Sequence, residues 1–243
     1  MERRLLGIEG IYPHQIEALL DRAEAYCGDS PSDTQARLAG LRIGLLIADA
    51  DAGVPITPVL SGALARSGAE AVVVVEPAWT QGGPLTTVAD RLESENLAVA
   101  FTQHPHAGAA LALASRWSGA VINIQDGPHE APLAALAGVL ALRRRKGHLG
   151  GLTIRLTGTP SGNAMARSLT ILLSAMGAVV QADERAEDLA ILGAVPQVPA
   201  TEPDATFDFP GEVPEPGAFS AAALAALDAV TQNLEPHLEP RRR

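Results

Sequence analysis

The chain has 243 residues, 47% of them apolar and 19% charged, with 18 Lys and Arg against 28 Asp and Glu, for a formal net charge of −10. This is the composition of a globular protein with room for one large or two small domains, not of a disordered chain. The acidic balance argues against nonspecific binding to nucleic acid or acidic membrane. A single cysteine, Cys27, excludes an intrachain disulfide and suits a reducing compartment. No apolar run reaches the ~18 residues of a membrane span, and Met1 to Ile8 lacks a signal-peptide core, so the expected location is the cytoplasm. Aromatic residues make up only 3%, so the core must be Leu, Val, Ile and Ala. Helices so rich in Ala pack thinly, which hints at association.

In chain order, Pro13 to Tyr26 places Ile16, Leu19, Leu20 and Ala23 on one helical face, with Gly28 to close it. Asp29 to Ala36 reads as a polar linker. Ile43 to Ala48 is a strand and Pro58 to Ser67 a helix. Ala71 to Val75 is a strand, Trp79 to Leu85 a loop and Thr86 to Glu95 a helix. Ala98 to Phe101 is a strand, Ala107 to Arg116 a helix and Val121 to Ile124 a strand. This fourfold β–α alternation specifies a parallel sheet with right-handed crossovers. Ligands in such sheets sit outside the carboxyl ends of the strands. The loops there start near Asp49, Glu76, Thr102 and Gln125.

Pro132 to Arg145 is a helix with Pro in its first turn, where the missing N–H costs least. Leu152 to Thr157 is a strand, Gly158 to Gly162 a tight loop, and Asn163 to Met176 a helix stopped by Gly177. Ala178 to Gln181 and Leu189 to Leu192 read as strands. A Pro- and acid-rich stretch from Pro196 to Gly217 reads as a linker on composition alone, and a strand at Ala205 to Asp208 is implied only by the family resemblance described below. Ser220 to Leu234 is a terminal helix with Ser220 as its N-cap. Arg241 to Arg243 is a basic tail.

Several runs in this order carry a likeness. They are Asn123-Ile124-Gln125-Asp126-Gly127, Ala131-Pro132-Leu133-Ala134, Lys146-Gly147-His148-Leu149-Gly150-Gly151-Leu152-Thr153, Ala166-Arg167-Ser168 and Met176-Gly177-Ala178. The chain resembles the aspartate carbamoyltransferases, which read N-A-G-D-G, H-P-T-Q, a basic K-G-x-L-x-G-L-T junction, G-D-x-x-H-S-R-V-A-R-S and L-G-A. The resemblance implies an α/β fold of two parallel-sheet βα domains of the carbamoyltransferase type. Residues 1–145 would form a carbamoyl-phosphate-binding-like domain with its N-terminal helix. Residues 146–243 would form a reduced amino-acid-binding-like domain with a C-terminal helix. The second domain is short because Leu192 passes almost directly to the Pro203 stretch.

The resemblance keeps the scaffold and departs at the chemistry. The family's phosphate loop, S-T-R-T-R at a helix N-terminus, is Gly53-Val54-Pro55-Ile56-Thr57 here, so Pro55 and Ile56 stand where arginines are expected. K-G-E-S, a loop that serves a neighbouring subunit, becomes Gln81-Gly82-Gly83-Pro84. R-H-P becomes Gln103-His104-Pro105. H-P-T-Q becomes Ala131-Pro132-Leu133-Ala134, losing His and Gln at Ala131 and Ala134. The Arg of H-S-R becomes Ala164, and H-P-G-P becomes Phe209-Pro210-Gly211-Glu212, with Gly211 and the acidic Glu212 beside the anion position. Removing one partner of a buried charged pair costs roughly 2–5 kcal/mol. Three such losses amount to about four or more powers of ten in affinity. No Lys or Arg in the other strand-end loops offers a replacement.

The expectation is a protein without carbamoyltransferase catalysis, with no catalytic residue, cofactor or metal. It would act as a structural or regulatory subunit associated with pyrimidine biosynthesis. As the family forms trimers, it would be a homotrimer or a hetero-oligomer with an active carbamoyltransferase or another pyrimidine-pathway enzyme, with no nucleic acid or membrane partner. The alternative is a small-molecule binder or enzyme with a repurposed pocket at the same strand ends, lined by Gln81, Gln103, His104 and His129. Least favoured is an active transferase completed by a partner chain.

Other signals carry less. His104, His106, His129 and His148 lack the spacing of a metal site. Thr157 to Gly162 follows a strand, as a dinucleotide-binding turn does, but misses the third glycine. Ser61 and Ser161 lie in no G-x-S-x-G motif. Arg143-Arg144-Arg145-Lys146 ends a helix, where the dipole favours cations. It reads as a solvated cluster, with docking of an acidic partner as the other reading.

Overall fold

The computed structural model describes residues 4–27, 38–48, 56–158, 162–182, 203–209 and 215–232. The first sheet has five parallel strands, β1 (Arg4–Leu5), β2 (Arg42–Ile47), β3 (Glu70–Val73), β4 (Val99–His104) and β5 (Ala120–Asp126), in the order β1-β5-β4-β2-β3. Alternation along these strands separates two cores. Ile43, Leu45, Val99, Phe101 and Ile122 face one way. Leu46, Ala100 and Val121 face the other.

The first face is covered by α1 (Pro13–Cys27), α2 (Ile56–Arg66), α6 (Pro132–Lys146) and α8 (Pro216–Thr231). The second is covered by Trp79 on the short α3 (Pro77–Thr80), by α4 (Leu85–Ser94), by α5 (Ala109–Ala114) and by Trp117. A parallel sheet clothed on both faces accounts for its runs of Val, Ile and Leu. At Gly44, a Cβ would lie 3.0 Å from Leu97 Cδ1, so the turn into β4 packs directly on the backbone of β2.

The second sheet is smaller: β6 (Thr153–Gly158), β7 (Val179–Ala182) and β8 (Ala205–Phe209), parallel, in the order β7-β6-β8. α7 (Ala164–Ala175) starts at the N-cap Asn163, whose Oδ1 accepts from the amides of Met165 (3.0 Å) and Ala166 (3.1 Å). Ile154, Leu156, Val180 and Phe207 join the same core as Ile43 and Phe101, so one continuous apolar cluster runs through both sheets. α6 makes that bridge, packing on β5 and, through Gly138, on Leu169, Met165 and Phe207.

α6 follows the expectation closely. Proline occupies its first turn, and Gly147, with φ +80°, closes it. Its last turn is the basic cluster. Arg143 there reaches Asp21 Oδ1 at 2.8 Å and Glu24 at 3.7 Å, which fastens α6 to α1.

Some expectations need correction. The terminal helix begins at Pro216 with Glu215 as its N-cap, and Ser220 lies inside it, buried. Proline fits the first helical turn, and Ala218 and Phe219 then enter the core. The stretch expected as a loop from Trp79 holds the end of α3. β4 and β5 run on to His104 and Asp126, beyond the apolar runs that announced them. The strand expected at Leu189 to Leu192, the linker at Asp29 to Ala36 and the basic tail lie outside the described residues.

Candidate functional site at the strand ends

The carboxyl ends of β2, β4 and β5 converge. The main chain at the end of β4 and the His104 ring are tied into hydrogen bonds. Gln103 O accepts from the Ala48 amide at 3.0 Å and from Trp79 Nε1 at 3.1 Å. His104 Nδ1 accepts from the His106 amide at 3.0 Å, which leaves Nε2 as the protonated nitrogen, donating to Trp79 O at 2.9 Å. Trp79 is 2% exposed and stands edge-on to the His104 ring at 4.7 Å. The indole and imidazole thus close the end of β4 against each other.

The turn after β5 is built the same way. Asp126 Oδ2 accepts from the Gly108 amide at 2.7 Å, and Gly127 N donates to His104 O at 2.8 Å. Glu130, 3% exposed, accepts at Oε2 from Ser168 Oγ at 2.7 Å and from the Ile8 amide at 3.3 Å. Ser168 Oγ in turn accepts from the Ala131 amide at 3.0 Å. One carboxylate therefore joins the N-terminal segment, the start of α6 and α7. Arg167 on α7 adds an ion pair to Glu9.

The residues singled out from the sequence fall into distinct settings. Gln103 and His104 are buried together beneath Trp79. Gln81 ends α3 and is exposed, and His129 is exposed in the turn before α6. Ile56 opens α2, Ala131 caps α6, Ala134 lies in its first turn, and Ala164 opens α7; Ile56, Ala131 and Ala164 are buried. Pro55, Gly211 and Glu212 lie outside the described residues. Trp79 and the Glu130–Ser168 pair were not singled out from the sequence. A tryptophan just past β3 and a lone acid before Ala131-Pro132 were the available signals.

Among the described residues, no group of three His, Cys, Asp or Glu could hold a metal ion. No helix among them is long and apolar enough to cross a membrane. A cleft of about 310 Å³ lies between α1 and α8, lined by residues that include His14, Gln15, Arg22 and Gln232, and by none of the strand-end residues.

Comparison with known proteins decides the lineage. Over 183 residues the chain is 37% identical to the aspartate carbamoyltransferase catalytic subunit of Acidiphilium cryptum, covering 74% of the chain and 58% of that relative. The counterpart from Rhodospirillum rubrum gives 37% identity, covering 74% and 57%. The chain belongs to the aspartate/ornithine carbamoyltransferase superfamily. The match spans less than two thirds of the length of these carbamoyltransferases.

Solved carbamoyltransferases share the fold. The catalytic subunit of M. jannaschii aspartate transcarbamoylase superposes with a TM-score of 0.74 at 15% identity, covering 96% of this chain and 99% of that one. Ornithine carbamoyltransferase from Thermus thermophilus gives 0.69 at 20% identity, covering 95% and 99%. No family model matches the chain.

Proposed function

We propose that this chain is a noncatalytic carbamoyltransferase-family protein, cytoplasmic, that serves as a structural or regulatory subunit in pyrimidine biosynthesis. It would assemble as a homotrimer or with an active carbamoyltransferase or another enzyme of the pathway. Residues 1–145 and 146–243 would be its two domains. The reading rests on one observation above the others. Where the family resemblance calls for charged or catalytic groups, the described residues are Ile56, Gln81, Gln103, Ala131, Ala134 and Ala164. None of these is a cation or an acid. A phosphate dianion needs positive charge or several converging donors.

The closed end of β4 supports the same reading. Its histidine holds the neutral tautomer between two backbone partners, and its outward side is occupied by Trp79. The relatives' name, aspartate carbamoyltransferase catalytic subunit, supports the pathway, and the noncatalytic role rests on the replacements alone.

The test is the solution mass of the purified protein, alone and mixed with the aspartate carbamoyltransferase of the same cell. A stable mixed assembly or a homotrimer is expected. A monomer that ignores the enzyme would overturn the subunit role.

A further inference from the structure

Among the described residues, no helix packs on one face of the second sheet. Ile154 and Leu156 on β6, Val180 on β7 and Phe207 on β8 point into the core. α6 and α7 pack on that side, where Gly138 lies against Leu169, Met165 and Phe207. The alternate residues therefore point outward: Thr153, Arg155 and Thr157 on β6, Val179 and Gln181 on β7, Thr206 on β8.

At the middle of this face, Arg155 pairs in register with Gln181 on one side and Thr206 on the other. Arg155 Nε and Gln181 Nε2 are both sealed from solvent and take no acceptor. Among the described residues, neither side chain makes a hydrogen bond or an ion pair. Arg155 contrasts with the arginines at 22, 42, 91, 143 and 167, each of which is held on a carboxylate of this chain.

The chemistry of what is missing is specific. The unsatisfied atoms here are donors, and one belongs to a permanent cation. Elsewhere the orphaned side-chain atoms include Arg167 Nε, whose guanidinium still pairs with Glu9, and the acceptors Asn123 Oδ1 and Asp126 Oδ1. Buried donors left without acceptors call for an anionic oxygen. Adjacent strands stand about 4.8 Å apart, a gap that one carboxylate spans when it accepts from an arginine on one strand and an amide on the next. Val179, 41% exposed, is the one large exposed apolar side chain of the described second sheet, too little to anchor a macromolecule.

We propose that Arg155 and Gln181 form a carboxylate-binding site for a small organic acid on the outward face of the second sheet. The guanidinium supplies the charge and the first donors. The Gln181 amide donates to the second oxygen. The site lies in mid-strand, apart from the strand ends, and does not depend on whether carbamoyl transfer is retained.

Glutarate serves as the probe, with sodium chloride at matched ionic strength as control. Phenylglyoxal labelling of the wild-type protein, read site by site by mass spectrometry, should show Arg155 protected by glutarate and the exposed arginines unchanged. Calorimetric titration should show affinity for glutarate falling about tenfold or more in Arg155→Gln and in Gln181→Leu. Labelling of Arg155 that ignores glutarate overturns the proposal, even if the variants fail to fold. Equal binding by wild type and Arg155→Gln also overturns it. So does protection by a hexaglutamate peptide but not by glutarate, which would make the face a peptide-docking surface.

Discussion

Ser168 is the residue on which three segments meet. Its hydroxyl accepts from Ala131 N and donates to Glu130, which also takes the Ile8 amide. Ser168→Ala leaves a buried N–H and one carboxylate lone pair unpaired. The expected loss is about 1–3 kcal/mol, seen in urea as a lower midpoint with an unchanged slope. Cys27 makes a second prediction. Burial pushes its thiol above its ordinary value, only partly offset by Arg144 nearby, while Glu24 pushes the same way as burial. The thiolate is the reactive form, so iodoacetamide should alkylate the native protein more slowly than the denatured one at pH 8. The native rate profile should lie at higher pH. The sign for stability follows: this contribution is complete below the thiol's ordinary value and is lost as pH rises through the raised one. A native thiol that titrates lower than the denatured one would contradict the burial seen here. None of this could be read from the sequence. Ser168 and Glu130 are 38 residues apart, and a lone cysteine at a helix end carries no signal of its surroundings.

Among the elements, α8 shows how much, and how little, patterning reveals. From Ala218 to Thr231 every residue is buried, so this Ala-rich helix is a strut inside the core rather than an amphipathic cover. A helix buried all round has no polar stripe to mark its register. Its start was therefore misplaced at Ser220, while Pro216 fixed it. Such a helix leaves no space for growth. Ala226→Leu, at a position with 0% exposure, should cost about 1–3 kcal/mol by overpacking, measured by chemical denaturation. Elements with explicit punctuation were legible. Pro132 and Gly147 bracket α6, and Asn163 opens α7. β4 was read too short for a physical reason. Thr102, Gln103 and His104 are polar, yet all three are buried, with the Gln103 main-chain carbonyl accepting from Trp79 Nε1 and the His104 ring donating to Trp79 O. β1 spans only two residues, too few for alternation to register.

At the scale of the whole molecule, two parallel sheets share one core through α6. The order of β–α units and the junction motifs made this architecture legible. The residue identities at the strand ends, Gln81 and Gln103 among them, were legible too. That Trp79 folds over the end of β4 was not, since it joins segments 25 residues apart that no periodicity links. The account therefore predicts a carbamoyltransferase scaffold without carbamoyl transfer. The most direct test is an assay of carbamoyl aspartate formation by the purified protein, supplied with carbamoyl phosphate and aspartate at saturating levels. No product above the uncatalysed background is expected. Sustained turnover that scales with protein concentration would contradict the account.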